Sequence, residues 1–313
     1  MHPEEVIAEL GGVATRAELL TQVTEHALRT AVAEGGVLRQ SRGRYTLPHV
    51  PRIGERAELV DIAQAGRRAG HRLSGTVILQ SAAARWGWKM KWLPTRPQVA
   101  VPRGRKVAAA ARRQVEVRYW HIPPSDLDDG WVTDRVRTAL DCASHLAPDE
   151  ALAVVDSALR EGMVTRDELL LAAASLPDRY RRRAEMIIRL ASPKAANPFE
   201  SVLRWIVHDI PGLVVSPQVE IHDGDGHIGT VDLADVELRL VLEADSFEWH
   251  GSRDALHKDC LRYDRFVADG WLVLRFTWGT IMHQPELVRA LVIRTIAQRD
   301  SRVRRPLARR PAA

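Results

Sequence analysis

The stretch at residues 231–250, VDLADVELRLVLEADSFEWH, constrains the fold of this 313-residue chain more than any other. Apolar and polar residues alternate in RLVLEAD, which predicts a strand with Arg239, Val241, Glu243 and Asp245 on one face and Leu238, Leu240, Leu242 and Ala244 on the other. A run this apolar belongs inside a sheet. An unpaired carboxylate there costs several kcal/mol, so acids at its end need a cation, hydrogen bonds or water. Asp232, on the preceding strand-like run, joins Glu243 and Asp245 in the outline of a metal site; the plainer alternative is that the two later acids mark where the strand surfaces.

The flanking residues give this stretch a context. In NPFESVLRWIVHDI, Asn197 is placed to cap a helix and Pro198 to occupy its first turn. Phe199, Val202, Leu203, Ile206 and Ile210 form its apolar stripe, with Glu200 off that stripe. LVVSPQVEI, HIGTVDLAD and ELRLVLEAD read as three strands, with HDGDG as ordinary turn chemistry. A helix with Leu256, Cys260, Tyr263 and Val267 at helical spacing ends at Gly270; WLVLRFTW is then a buried strand and residues 285–298 a last helix. The predicted order is αβββαβα.

With an acid on the second strand and acids ending the third, this region resembles the PD-(D/E)XK nuclease superfamily, and within it the very-short-patch-repair-endonuclease-like domain. The residues that carry the likeness are Asp232, Glu243 and Asp245, His250 with Gly251, the run KDCLRYD from Lys258, and GWLVLRFTW. The superfamily's motif lysine, two residues after the glutamate, is replaced by Asp245. The resemblance implies a restriction-endonuclease-like core with Mg²⁺ or Mn²⁺ held by Asp232 and Glu243. Asp245 would be a further acid of the site, His250 a proton carrier, Lys258 a stand-in for the missing lysine, and Glu200 an orienter of water.

Length and charge set the frame around that region. A chain of 313 residues predicts two or three domains, and a formal charge of +5 with a pI near 9.5 favours a polyanionic partner. Cys142 and Cys260 lie too far apart in sequence for a disulfide framework or a zinc motif. No basic-then-apolar leader or bilayer-length apolar run is present, which leads us to expect a cytoplasmic protein without membrane contact.

Residues 1–48 read as three short helices and a hairpin, a winged helix-turn-helix. Its third helix exposes Glu25, His26, Arg29 and Thr30 to a major groove, and Arg39, Arg42 and Arg44 on the hairpin around Gly43 reach phosphates. The segment resembles the N-terminal domain of AbiEi-type antitoxins.

Residues 51–195 read as an α+β middle region, with a helix beginning at Ser74. It resembles the linking region of those proteins through LSG before a helix, TDRVRTALDCA and DEALAVVDSALREG. Trp86, Trp88 and Trp92 read mainly as core and loop anchors, and Arg179 to Arg183 as a solvated helix end or a phosphate-facing patch.

The expected architecture is therefore α+β and multidomain: a winged helix at 1–48, the middle region at 51–195, an αβββαβ nuclease-like core at 196–299 and a basic disordered tail at 300–313. Residues after about 195 are expected to fold only in company with the middle region. Two functions follow as expectations. One is a duplex-DNA-binding protein with a metal-dependent endonuclease-like domain. The other is a toxin-antitoxin-type transcriptional regulator with an inactive nuclease-like domain and a cognate toxin as partner.

Overall fold

The computed structural model describes residues 2–10, 12–48, 57–245 and 253–303. His250, the joint at 49–56 and the arginines of the tail from 304 onward lie outside the described residues. The chain is an α+β protein that divides into two compact units, one of Met1–Leu146 with Glu161–Arg189 and one of Ala147–Arg160 with Leu190–Ala313. No helix among the described residues is long and apolar enough to cross a membrane.

The first unit begins with α1 (Pro3–Glu9), β1 (Val13–Thr15), α2 (Arg16–Leu20), α3 (Glu25–Ala33), β2 (Leu38–Ser41) and β3 (Arg44–Thr46). Thr15 and Thr24 start α2 and α3 by accepting the N–H groups of Glu18 and Ala27, which would otherwise lack partners at a helix start. The strands form an antiparallel sheet in the order β1-β3-β2, over a core that includes Val6, Ile7, Leu19, Leu28 and Val37. Gly43, at φ 72°, makes the β2–β3 turn in a conformation that favours glycine.

The remainder of the first unit holds α4 (Ala57–Leu73), β4 (Thr76–Val77), α5 (Leu79–Arg85), β5 (Gln98–Val101), α6 (Ala109–Gln114), β6 (Glu116–Tyr119), β7 (Leu127–Asp128), β8 (Val132–Thr133), α7 (Arg135–His145), α9 (Arg166–Ala173) and α10 (Asp178–Leu190). The intervening α8 (Pro148–Arg160) belongs to the second unit. Five short strands form a mixed sheet in the order β6-β5-β4-β8-β7. The helix expected from Ser74 starts instead at Leu79, because Thr76 and Val77 are drawn into the sheet, where Val77 pairs with both Val99 and Val132. Trp86 and Trp88 are buried and Trp92 is exposed.

In the second unit α11 (Pro198–Val207) is followed by β9 (Ser216–Asp223), β10 (Gly226–Asp235), β11 (Leu240–Asp245), α12 (Arg253–Ala268), β12 (Leu272–Thr277), α13 (Trp278–His283) and α14 (Pro285–Val303). The sheet order is β12-β11-β10-β9; β9, β10 and β11 form an antiparallel meander, and β12 returns parallel to β11 after α12. One face packs Leu233, Leu240, Leu242 and Phe276 with Phe199, Leu203 and Ile206 of α11 and with residues of α13 and α14. The other packs Ile221, Val231, Val241 and Trp271 with Phe266 of α12. Strand β11 starts three residues after the beginning of the ELRLVLEAD run read as a strand. Asp235 accepts the N–H groups of Val214 and Leu238 and Arg239 adopts φ 46°, so residues 236–239 turn rather than pair. Residues 223–226 form the expected turn, with the Asp225 N–H donated to Asp223 Oδ1.

Helix α8 packs against α11, and their contact includes a buried ion pair between Asp156 and Arg204. The unit built around the strand–acid stretch thus includes a helix from the region that the sequence grouped with residues 51–195.

Candidate functional site

The acids converge where the β10–β11 ladder ends. The strands pair at Asp235 with Leu240, Ala234 with Val241 and Leu233 with Leu242. Beyond that point the backbone donors turn to carboxylates: the Asp232 N–H donates to Glu243 Oε2 at 3.2 Å, and the Ala244 N–H to Asp232 Oδ2 at 2.8 Å. The two carboxyl groups lie close enough to influence each other's protonation. Burial pushes the pKa of both upward, and the proximity of Asp232 pushes Glu243 further, so the pair holds a proton more readily than two solvated carboxylates do.

Glu200 comes to the same place from α11, whose first turn it occupies because Asn197 caps the helix through the N–H groups of Phe199 and Glu200. It is buried, and its carboxylate accepts from the Ala196 N–H, Asn197 Nδ2 and Gln218 Nε2. Burial, with the negative charge of Asp232, pushes Glu200 up to about 7 despite those donors. Gln218 bridges the acids, donating to Glu200 Oε2 at 3.0 Å and to Asp232 Oδ1 at 3.5 Å. It adopts φ 53°, a conformation that costs a non-glycine residue free energy.

The cation at this site is Arg262 of α12, which ion-pairs with Glu243 through Nη2 and Oε1. Lys258 is exposed and makes no hydrogen bond or ion pair with these acids among the described residues. Asp245 is held by Arg275 of β12 through two bonds, at 2.6 and 3.0 Å, and Arg275 also reaches Asp259 at 3.3 Å. The Tyr263 ring lies between the two arginines, 4.3 Å from the Arg275 guanidinium and 5.3 Å from that of Arg262.

Sequence reasoning missed Arg262 and Gln218. A usable signal was Gly229: glycine inside a strand marks close approach by another group, here the Arg262 side chain.

No family model matches the chain. Two curated proteins of Mycobacterium tuberculosis are similar to it: the uncharacterized proteins MT2308, of strain CDC 1551, and Rv2248, of strain H37Rv. Each is 26% identical over 285 residues, which cover 87% of this chain and 97% of the relative. Among solved structures, the RV2827C protein from Mycobacterium tuberculosis aligns over 63% of this chain and 78% of its own, at 14% identity and a TM-score of 0.33.

The donor set suits a hard divalent cation. Asp232 and Glu243 offer carboxylate oxygens, Asp232 Oδ1 is engaged only by the long Gln218 contact among the described residues, and the half-buried Asp232 stands with the buried Glu200 and Glu243, with Arg262 paired to Glu243. Among the described residues no three His, Cys, Asp or Glu side chains cluster tightly enough to enclose a metal ion. Two carboxylates with water completing the shell is a usual Mg²⁺ arrangement.

The first unit carries the other sequence-predicted residues. Glu25, His26, Arg29 and Thr30 are all exposed on α3, with Glu25 paired to Arg16, and Arg39 and Arg42 are exposed on the β2–β3 hairpin. Arg44 is half-buried and donates to Ser74 Oγ at 2.7 Å.

Proposed function

We propose that this chain is a duplex-DNA-binding protein whose C-terminal unit is a PD-(D/E)XK-type, metal-dependent endonuclease domain. The observation that carries this reading is the meeting of half-buried Asp232 with buried Glu243 and Glu200, from two strands and a helix, in one place. Bringing three acids, two of them buried, to one place costs a fold desolvation and repulsion, whereas a site for a hydrated cation needs them.

In this reading Asp232 and Glu243 hold Mg²⁺ or Mn²⁺. The cation would acidify a water and offset the charge that develops on phosphorus. Glu200 can hold or accept a proton near neutral pH, and Gln218 keeps it in register with Asp232. Asp245, tied to Arg275, fixes the end of β11. His250 carries a proton. The test is cleavage of supercoiled and linear duplex DNA with Mg²⁺ or Mn²⁺ against a chelator. Cutting by the wild type and none by Asp232→Asn is the expected result, and no metal-dependent cutting by the wild type would remove the nuclease assignment.

The first unit supplies the DNA contact in this proposal, with residues 2–48 acting as a winged helix-turn-helix. The order of elements, the exposed α3 face and the exposed hairpin arginines support it. Replacing Arg39 and Arg42 together with alanine should weaken binding to all duplexes alike and reduce the salt dependence by about two phosphate contacts. Arg44→Ala should have the smaller effect, because its guanidinium is engaged by Ser74. Fluorescence anisotropy across a salt series checks both, and a changed sequence preference would show that the hairpin reads bases instead.

One observation favours the second reading, an antitoxin-type regulator that keeps the nuclease-like domain only for binding. Arg262 neutralises Glu243, and the residue where the motif lysine is expected, Asp245, is itself tied to Arg275. That reading expects DNA affinity independent of both metal and Asp232.

A further inference from the structure

Three arginines of the second unit meet carboxylates around its sheet, and they do so unequally. Arg265 grips Asp223 with Nε and Nη2, and Arg275 grips Asp245 with the same two nitrogens. This fork is the strong geometry for an arginine–carboxylate pair. Arg262 touches Glu243 through Nη2 alone, and its Nε is buried without a hydrogen-bond partner among the described residues.

Its path to Glu243 is nonetheless built. The side chain crosses β10 at Gly229, where a Cβ would come within 3.2 Å of Arg262 Cδ and 3.4 Å of Nε. The guanidinium sits 5.3 Å from the ring centre of Tyr263 and 5.6 Å from that of Phe266. These faces attract a cation wherever along them it lies, so they support the group without tying it to one acid. The notch and rings thus hold a guanidinium at the acid pair through a single nitrogen.

We propose that Arg262 is a built-in counter-ion of the Asp232–Glu243 pair, that it competes with a divalent cation for Glu243, and that cation loading frees its planar donors for a DNA phosphate. This rests on the reading of the pair as a Mg²⁺ or Mn²⁺ site. A divalent cation on Glu243 repels the guanidinium held by the same carboxylate, so cation loading weakens the hold on Arg262. A released arginine presents a fork that matches phosphate oxygens. Metal and DNA then bind cooperatively, because each removes a competitor of the other.

The experiment uses the full chain. Mn²⁺ is titrated calorimetrically, without DNA, into the wild type, Arg262→Gln, Gly229→Ala and Asp232→Asn, each with a melting curve. Arg262→Gln should bind Mn²⁺ about tenfold more tightly than the wild type, the scale of a lost close charge–charge opposition, and Gly229→Ala, which crowds Arg262 at Cδ and Nε, should bind it more tightly by a smaller factor. Gly229→Ala keeps every charge and only displaces the arginine, so it decides the matter if Arg262→Gln does not fold. A plain structural salt bridge predicts a lower melting temperature with equal or weaker Mn²⁺ binding, and that result overturns the proposal while leaving the metal site standing.

In a second arm, duplex affinity is measured with Ca²⁺ and with chelator. The wild type should gain affinity with Ca²⁺ and Arg262→Gln should lose that gain; an equal gain in both overturns the release of Arg262 to phosphate. Absence of Mn²⁺ binding in the wild type, Arg262→Gln and Gly229→Ala alike, or equal binding by Asp232→Asn and the wild type, refutes the metal-site reading itself.

Discussion

Asp156→Ala should destabilise the second unit by about 3–5 kcal/mol, the scale for removing one partner of a buried ion pair. The Asp156 side chain is 0% exposed and that of Arg204 4%, with Oδ2 and Nη2 2.5 Å apart. Asp156 Oδ1 also accepts the Ser192 N–H at 2.7 Å, so one carboxylate ties α11 and the segment before it to α8. Alanine would leave a desolvated guanidinium without its anion and a backbone donor without its acceptor. Replacing both charges, as in Asp156→Leu with Arg204→Met, should recover much of the loss, because the remaining cost is packing and the single donor. Urea unfolding of the two single variants and the double variant measures this. A loss under about 1 kcal/mol for Asp156→Ala would place the pair among those that contribute little. The same contact bears on truncation: a chain starting at Ala195 lacks α8 and leaves Arg204 alone in the core, so it should not give a cooperative melt as a monomer.

The second large effect is an inverted pH dependence. Carboxylates with lowered pKa make a protein more stable as pH rises; Glu200, Asp232 and Glu243 are raised and act in the opposite sense. Glu200 moves from 4.5 to about 7, so the folded state keeps a proton that the unfolded chain releases. Its stabilising contribution is complete below about 4.5 and lost as pH climbs through about 7, a change of roughly 3 kcal/mol. The acid pair adds to this in the same direction.

Unfolding free energy of the second unit should therefore fall between pH 5 and pH 8, and Glu200→Gln should flatten that slope. His71 of the first unit, lowered to about 4 by burial, acts in the opposite sense. Divalent cation should reverse the slope of the second unit. At a hundredfold excess over Kd, Mg²⁺ or Mn²⁺ should add about 2.7 kcal/mol, and more at pH 8 than at pH 6 because its ligands must be deprotonated. Asp232→Asn should abolish the metal effect, whereas exposed Lys258→Ala should leave it intact. Melts across pH with and without Mn²⁺ provide the measurement. A flat profile for the wild type, matched by Glu200→Gln, would mean that these acids are solvated and carry no proton near neutrality.

The alternation in RLVLEAD was enough to sort β11: Leu238, Leu240, Leu242 and Ala244 pack toward α11, and Val241 toward α12. The cap at Asn197 was equally legible, because a cap is a contact between residues two or three apart. Asp232 and Glu243 could be named from sequence because carboxylates in apolar runs are conspicuous, whereas Glu200, off its helix's apolar stripe, was named only through the family resemblance. Their partners could not be named from sequence. Lys258 looked the better stand-in cation by residue type, yet it is exposed, and Arg262 reaches Glu243 because Gly229 leaves it room across β10. The start of α5 was misread because Val77 is claimed by strands 22 and 55 residues away, which outweighs its local preference. Asp156 reads in sequence as an ordinary polar residue of an amphipathic helix; only the packing of α8 on α11 brings it to Arg204, 48 residues later. Period and capping are settled by neighbours within a turn, so the sequence determines them by itself. Which charge meets which is settled by the elements the core brings together, so that was left to the tertiary structure.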